Sequence, residues 1–159
     1  MPDPVEAFAI ATLPLGGGGR IGVCRLPHLP EDLAAIAAWN PVTVVSMTEA
    51  SEMAPCRGLG VALARAGIDW LHLPIRDFSG PDGPSRDAWP EMARRLHAIL
   101  DDGGSVLLHC RGGKGRSGMM ALRLMVERGE PAGAALARLR TMRPGAVETA
   151  EQLAWAGGG

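Results

Sequence analysis

The sequence predicts an α/β fold with a central, mostly parallel β-sheet flanked by helices. Short apolar runs rich in β-branched residues alternate with segments of helical periodicity, as expected when parallel strands are joined by crossover helices. Apolar residues make up 47% of the 159 residues and charged residues 21%, which is typical of a globular domain with a substantial core. No internal repeat or long linker divides the chain. We therefore expect a single domain over residues 1–159, with flexible ends at 1–6 and 157–159.

The predicted strands are short. A first strand is expected in the apolar stretch before residue 15, and the glycines at 16–19 form the turn after it, because four glycines in a row stabilise neither a strand nor a helix. The other strands are expected at four apolar runs: RIGVCRLP (20–27), VTVVSM (42–47), IDWLHLPI (68–75) and SVLLHC (105–110).

Helices are predicted between and after these strands, ended by residues such as the pair Asn40-Pro41 or the pair Gly103-Gly104. Ser85 is expected to cap the third helix at its N-terminus. The predicted helical segments are PEDLAAIAAWN (30–40), RGLGVALARAG (57–67), RDAWPEMARRLHAILDD (86–102), MMALRLMVERG (119–129), PAGAALARLRTMR (131–143) and VETAEQLAWA (147–156).

Composition argues against several classes of protein. The net charge is −1 and the pI about 6.4, so there is no basic field to attract nucleic acid or an anionic membrane. The three cysteines (Cys24, Cys56 and Cys110) include no C-x-x-C pair, which argues against a disulfide framework and against a zinc site. There is no secretory leader pattern and no apolar run of membrane-spanning length. We expect a cytoplasmic protein without a bound metal.

The segment SVLLHCRGGKGRSGMMALRLMVERG (105–129) has the order strand, glycine-rich turn, helix. Such a turn can direct several backbone N–H groups at one anion, and the N-terminal end of the following helix adds a positive potential at the same point. Its glycines allow close approach and unusual dihedral angles. The segment therefore predicts a phosphate site, and six residues are expected to contact the phosphate: Arg111, Gly112, Gly113, Lys114, Gly115 and Arg116.

Two side chains give this segment the potential for chemistry. Cys110 follows the strand directly and can act as a thiolate nucleophile, and Arg116 offers planar, paired donors that match two phosphoryl oxygens. Two plainer interpretations remain open, namely a buried structural cysteine and a nucleotide-binding loop. The P-loop NTPase pattern G-x-x-x-x-G-K-[ST] is not met, because the chain reads K-G-R-S.

The run from His109 and Cys110 through five residues to Arg116 and Ser117 resembles the signature loop of the protein tyrosine and dual-specificity phosphatases. The resemblance extends over about residues 20 to 155. CRLP, SMTEASEM, GIDWLHLPIRD and HCRGGKGRSG occur in the order and spacing of the kinase-associated phosphatases and their bacterial relatives, and RPGAVETAEQ is similar to a closing motif of related phosphatases. The resemblance implies a phosphatase-like fold and hydrolysis through a cysteinyl-phosphate, without a cofactor.

The family resemblance also implies roles for individual residues. Asp77 matches the general acid on a mobile loop, and Asp82 in the same loop is its rival. Ser117 is expected to donate a hydrogen bond to the cysteine sulfur, to cap the following helix, or both. His109 is expected to orient the loop and support the thiolate rather than act as a base. Gln152 is expected either to orient the hydrolytic water or to be an ordinary polar helix residue.

Two further residues have weaker assignments. Arg143 is expected either to support the phosphate loop from behind or to be a plain helix-end arginine. Glu49, within SMTEASEM, lies in a segment that borders the site in relatives.

The expected substrates are phosphorylated proteins or small phosphomonoesters. Arg111 and Lys114 leave a phosphoinositide or inositol-phosphate phosphatase open as an alternative, because two extra cations suit a polyphosphorylated ring. A catalytically inactive phosphate-binding module is a non-enzyme alternative, although the cysteine, the arginine and the acid are all present. A rhodanese-type sulfurtransferase also uses a cysteine loop ending in arginine, but would leave Asp77 without a role. The sequence does not fix the oligomeric state.

Overall fold

The computed structural model describes residues 7–158, and the fold consists of one sheet with helices on both faces. The strands are β1 (Ala11–Pro14), β2 (Arg20–Cys24), β3 (Thr43–Ser46), β4 (Asp69–His72) and β5 (Ser105–His109). The helices are α1 (Leu33–Trp39), α2 (Leu59–Arg65), α3 (Gly83–Asp101), α4 (Arg116–Glu127), α5 (Ala132–Met142) and α6 (Ala150–Ala156).

The five strands lie in the order β1-β2-β5-β3-β4. The β1–β2 pair is an antiparallel hairpin through the glycine turn, and every other neighbouring pair is parallel. The predicted fold class, a mostly parallel sheet flanked by helices, is therefore confirmed. The C-terminal ends of the four parallel strands meet at one edge, where Cys24, Ser46, His72 and His109 are aligned in register. The loop that follows β5 leaves the sheet at this edge, which is where open α/β sheets bind their ligands.

Two apolar layers hold the helices on the sheet. The larger layer packs α3, α4, α5 and α6 on one face, through residues such as Leu96, Met120 and Leu139. The smaller layer packs α1 and α2 on the other face, through Ile36 and Leu63. Successive residues of a strand alternate between the two layers, as the pleat of a strand requires. The central strand β5 is consequently buried on both faces over its whole length.

Two helix boundaries next to candidate site residues differ from the predicted ones. Asp82, not Ser85, is the N-terminal cap of α3, and the two side chains form a reciprocal capping box. The cap expected at Ser85 is therefore wrong, because the helix begins three residues earlier than its sequence pattern suggests. Helix α4 begins at Arg116, so Ser117 lies inside its first turn rather than in front of it. The segment TEASEM (48–53) contains the short 3-10 turn Ala50–Glu52.

Within residues 7–158, no helix is long and apolar enough to cross a membrane. The predicted flexible end at 1–6, together with residue 159, lies outside the described residues.

Candidate active site

The loop between β5 and α4 (residues 110–115, the phosphate loop) is held from outside through its carbonyl groups. Four successive carbonyls accept hydrogen bonds: Arg111 from the Leu26 N–H (3.1 Å), Gly112 and Gly113 from the Arg143 guanidinium (2.8 and 3.0 Å), and Lys114 from the N–H groups of Gly118 and Val147 (3.1 and 3.0 Å). Of the two roles open for Arg143, the structure shows the contact behind the loop.

The amide N–H groups of the phosphate loop have the opposite orientation. In a trans peptide the N–H points away from the preceding carbonyl, so outward carbonyls at 111–114 turn the N–H groups of 112–115 inward. In the described part of the chain, the backbone N–H groups of residues 112–117 donate to no protein acceptor. Those of Arg116 and Ser117 belong to the first turn of α4, where helices always leave donors free. The loop thus presents a concave set of donors suited to a tetrahedral oxyanion.

Gly113 is the glycine that this loop geometry requires. Its φ is +72°, and a Cβ there would lie 2.5 Å from the carbonyl carbon of Cys24 and 2.6 Å from the amide nitrogen of Arg25. Both of those atoms are backbone, so the neighbouring strand end cannot yield. Any other residue would push the phosphate loop away from β2.

Cys110 lies at the base of the loop and is 2% exposed. Its Sγ lies 3.2 Å from the hydroxyl oxygen of Ser117, which is also fully buried. The structure thus places the Ser117 hydroxyl within hydrogen-bonding distance of the sulfur. The arrangement sets one sulfur atom beneath several unpaired N–H donors, which favours the negative charge of a thiolate.

Arg116 closes the opposite side of the loop and is 1% exposed. Its two terminal nitrogens donate to the two carboxylate oxygens of Glu52, each at 2.8 Å. One of them also donates to the carbonyl oxygen of Ile75 at 3.0 Å. In the region that the structure describes, Arg116 Nε is buried and has no hydrogen-bond partner. Since buried donors are nearly always paired, this nitrogen is available to a bound anion.

Glu52 is the residue that the sequence analysis missed. Glu49 is the acid of SMTEASEM for which a place near the site was expected, but Glu49 is exposed, and its N–H donates to Glu52 Oε2 at 2.8 Å. The hydrogen bond from Arg116 holds the pKa of the Glu52 carboxyl below its usual value, although partial burial acts in the opposite direction. The only sequence signal was a second acid three residues after the first, and its partner is 64 residues away.

The two candidate acids have different positions. Asp77 Oδ1 lies 3.4 Å from Arg116 Nη2, and the Asp77 side chain is 37% exposed. The same oxygen accepts the N–H of Phe78 at 2.9 Å. Phe78 has a φ of +62°, and the hydroxyl of Thr149 donates to its carbonyl at 3.0 Å, which fixes the turn. Asp82 caps α3 instead. The structure thus brings Asp77, and not Asp82, to Arg116.

His109 is fully buried behind the phosphate loop. Its Nε2 lies 2.5 Å from Ser46 Oγ, and its Nδ1 lies 3.3 Å from the carbonyl oxygen of Cys110. Burial lowers the pKa of His109 to about 4, so the ring is neutral near pH 7. The ring contacts the loop backbone rather than the thiol, which agrees with an orienting role.

Gln152 is buried against the loop but already committed to other groups. Its Oε1 accepts the N–H groups of Glu148 (2.9 Å) and Thr149 (3.2 Å), and Nε2 lies 3.5 Å from the carbonyl oxygen of Ser79. These contacts form the capping box of α6 with Thr149. Arg111, at the rim, is exposed.

In residues 7–158, no group of three or more His, Cys, Asp or Glu side chains is arranged to hold a metal ion. The cations nearest the loop are side chains. Arg116 and the unpaired N–H groups supply the positive field that a phosphate dianion needs.

A family model described as a polymorphic toxin system DSP-PTPase phosphatase matches residues 16–130. Among solved structures, the chain is similar to Tk-PTP in its active form, with 31% identity, coverage of 91% of this chain and 92% of that one, and a TM-score of 0.72. It is also similar to a kinase associated phosphatase whose catalytic-site cysteine is replaced by serine (23% identity, 96% and 94% coverage, TM-score 0.83). PTPMT1 in complex with PI(5)P matches at 16% identity, 87% and 88% coverage and a TM-score of 0.74. The last two matches support the fold alone.

Proposed function

The chain belongs to the dual-specificity and protein tyrosine phosphatase family, and we propose that it hydrolyses phosphomonoesters through a cysteinyl-phosphate formed on Cys110. The observation that carries this proposal is a set of N–H groups at 112–117 above a buried thiol, with the Nε of Arg116 beside it, none of which has a hydrogen-bond partner within residues 7–158. A phosphoryl group bound there would satisfy all of these donors at once.

In the first step the Cys110 thiolate attacks phosphorus in line with the ester oxygen. The S–P bond forms, the P–O ester bond breaks, and Asp77 gives its proton to the departing oxygen. Arg116 and the loop amides bind the three equatorial oxygens, whose negative charge persists through a loose transition state. Because the guanidinium is fixed by Glu52, this stabilisation requires little reorganisation during the reaction.

In the second step water attacks the cysteinyl-phosphate. Asp77, now a carboxylate, accepts a proton from the water, the S–P bond breaks, and inorganic phosphate leaves. The departing sulfur regains its negative charge, and the Ser117 hydroxyl at 3.2 Å can donate a hydrogen bond to it. Neither step uses a metal or an organic cofactor.

We propose that the whole chain forms one domain. As its substrate we propose phosphorylated tyrosine, serine or threonine side chains of proteins. An inositol phosphate is the second candidate. The observation that favours it is the pair Arg111 and Lys114, whose side chains donate no hydrogen bond to any described residue. The PTPMT1 structure carries PI(5)P, which shows only that this fold can bind such a ligand.

We further propose that the protein works in the cytoplasm. All three of its cysteines are free thiols, and a catalytic thiolate needs surroundings that keep it reduced.

The test is hydrolysis of p-nitrophenyl phosphate in the presence of EDTA by four proteins: wild type, Cys110→Ser, Asp77→Ala and Asp82→Ala. We expect no turnover with Cys110→Ser and a fall of ~100-fold or more in kcat with Asp77→Ala. Asp82→Ala is the matched control in the same loop and should lose stability but keep its kcat. Absence of turnover by a folded wild-type protein would favour the phosphate-binding module. Equal losses in the two aspartate variants would remove Asp77 from the mechanism.

A further inference from the structure

Three side chains from neighbouring strands form a hydrogen-bonded chain behind the phosphate loop and take no part in the two chemical steps. Trp70 of β4 donates its indole N–H to the Ser46 Oγ of β3 at 2.8 Å. Ser46 Oγ in turn lies 2.5 Å from His109 Nε2 of β5. The other ring nitrogen, Nδ1, lies 3.3 Å from the carbonyl oxygen of Cys110. The chain therefore runs from a partly exposed indole to the first carbonyl of the loop.

The number of protons available in this series of hydrogen bonds assigns the tautomer of His109. An indole N–H can only donate, so Ser46 Oγ is the acceptor in its contact with Trp70. Among the described residues, the acceptor that remains for the single hydroxyl proton of Ser46 is His109 Nε2. Nε2 is therefore the bare nitrogen of the neutral ring, and the proton lies on Nδ1. From there it donates to the Cys110 carbonyl.

The opposite tautomer would leave two defects in a fully buried site. With the proton on Nε2, Ser46 Oγ would accept from both Trp70 and His109, and its own proton would have no acceptor. Nδ1 would then face the Cys110 carbonyl oxygen with one lone pair against another. Unsatisfied polar groups of this kind are costly when buried. The ring is neutral, because burial lowers the pKa of His109 to about 4.

Packing holds the indole of Trp70 in the position that its hydrogen bond to Ser46 requires. Its ring stacks on His72 with centroids 5.3 Å apart, and His72 Nε2 donates to the Thr48 carbonyl oxygen at 2.6 Å. Helix α2 also approaches the indole at Gly60, where a Cβ would lie 2.9 Å from the ring. Trp70 is 37% exposed, yet its indole N–H is directed inward at Ser46.

We propose that Trp70 and Ser46 are positioning residues that fix the Nδ1–H tautomer of His109, and that this proton holds the Cys110 carbonyl outward. The proposal rests on the proposed phosphatase function for its kinetic consequence, but not for the tautomer itself. It extends the row of outward carbonyls by one residue, from 111–114 to 110–114. Trp70 thus helps to orient the peptide next to the nucleophile without touching substrate.

The direct test is the ring ¹⁵N spectrum of the histidines in the full chain at pH 7, with His109 assigned by the signal lost in His109→Asn. We expect Nδ1 protonated and Nε2 bare in wild type. In Trp70→Phe, which keeps an aromatic ring but removes the donor, Ser46 becomes free to accept from Nε2, and we expect a mixture of tautomers. A wild-type spectrum with the proton on Nε2 would overturn the proposal, whether or not the protein hydrolyses phosphate esters.

The kinetic test compares Trp70→Phe and Ser46→Ala with Trp39→Phe. Trp39 is a matched control, because its indole N–H also donates to a hydroxyl, Thr12 Oγ1 at 3.0 Å, away from the phosphate loop. We expect kcat to fall about 3- to 10-fold in the first two variants, as for one lost hydrogen bond, and to stay at the wild-type value in the control. If Trp70→Phe keeps the wild-type tautomer and kcat while Cys110→Ser is inactive, the positioning role is refuted and the phosphatase function stands.

Discussion

Replacement of Glu52 by glutamine tests the ion pair that fixes Arg116. Glutamine has nearly the same shape, but it lacks the charge and presents an NH₂ group where a carboxylate oxygen now accepts a hydrogen bond from the guanidinium. Arg116 is 0% exposed in its side chain and Glu52 is 16% exposed, so water cannot replace the lost partner fully. The variant therefore measures the effect of the Glu52 charge while the packing around the side chain stays nearly unchanged.

The expected cost follows from the geometry. Arg116 makes two charge-assisted hydrogen bonds to Glu52, each at 2.8 Å. Loss of one partner of a buried ion pair costs about 3–5 kcal/mol, and the acceptor that glutamine keeps reduces this to about 2–3 kcal/mol. Domains of this size are stable by about 5–15 kcal/mol, so the variant should still fold. A displaced guanidinium should also lower kcat/KM by about 10- to 100-fold.

The pH dependence gives this prediction a signature. The pKa of Glu52 in the folded protein lies below its ordinary value of 4.5. The stabilisation that Glu52 contributes is therefore present above that ordinary pKa and is lost as pH falls through the folded pKa. The difference in unfolding free energy between wild type and Glu52→Gln should therefore be constant above about pH 6 and shrink below pH 4.5.

The assay is urea unfolding followed by tryptophan fluorescence, at pH 7 and at a series of pH values below 4.5. Glu49→Gln is the control, because Glu49 is exposed in the same segment and its cap needs only an oxygen acceptor. If the free energy of unfolding of Glu52→Gln is lower than that of wild type by the same amount at every pH, or is not lower at all, the reasoning is refuted.

Three other predictions concern the phosphate loop and its thiol. Gly113→Ala should abolish turnover and lower the free energy of unfolding by about 2 kcal/mol or more. Gly129 also has a positive φ, but no atom would lie close to an added Cβ, so Gly129→Ala should cost about 1 kcal/mol and keep activity. Urea unfolding and kcat distinguish the two variants. Arg143→Ala should weaken inhibition by inorganic phosphate by about 10-fold, because two outward carbonyls of the loop lose their hydrogen-bond donor. Arg143→Lys should have an intermediate effect. Unchanged inhibition in Arg143→Ala would contradict this prediction. Iodoacetate should alkylate only Cys110, as measured by mass spectrometry, because burial raises the pKa values of the Cys24 and Cys56 thiols. Inorganic phosphate should protect Cys110 from alkylation. Labelling of Cys24 or Cys56 in the folded protein would be the contrary result.

The fold could be predicted from sequence because its signals are local. The apolar runs of β3 and β5 are bounded by turn residues, and the order of strands and helices restricts the sheet to a few arrangements. Strand order is different, since nothing local states that β5 lies between β2 and β3. That order depends on which apolar faces match once the chain has folded.

The sequence also indicated that Cys110, Arg116 and Ser117 share one loop, but it did not indicate which distant residues hold that loop. Cys110, Arg116 and Ser117 are close in sequence, so one loop carries both the prediction and the geometry. Glu52 could not be identified, because an acid in a polar segment has no feature that specifies a partner 64 residues away. Asp77 and Asp82 could not be separated by composition, and only the start of α3 assigns one of them to a cap.

The outward carbonyls of the phosphate loop have a consequence for how the chain folds. The side chains that hold this region come from far along the chain, with Arg143 31 residues after Gly112 and Glu52 64 residues before Arg116. Each such contact closes a long loop and loses chain entropy before it gains any energy. We therefore expect the signature segment, excised as a peptide, to have no affinity for phosphate. During refolding, enzymatic activity should return later than helical circular dichroism, because the anion site is complete only when distant parts of the chain have met.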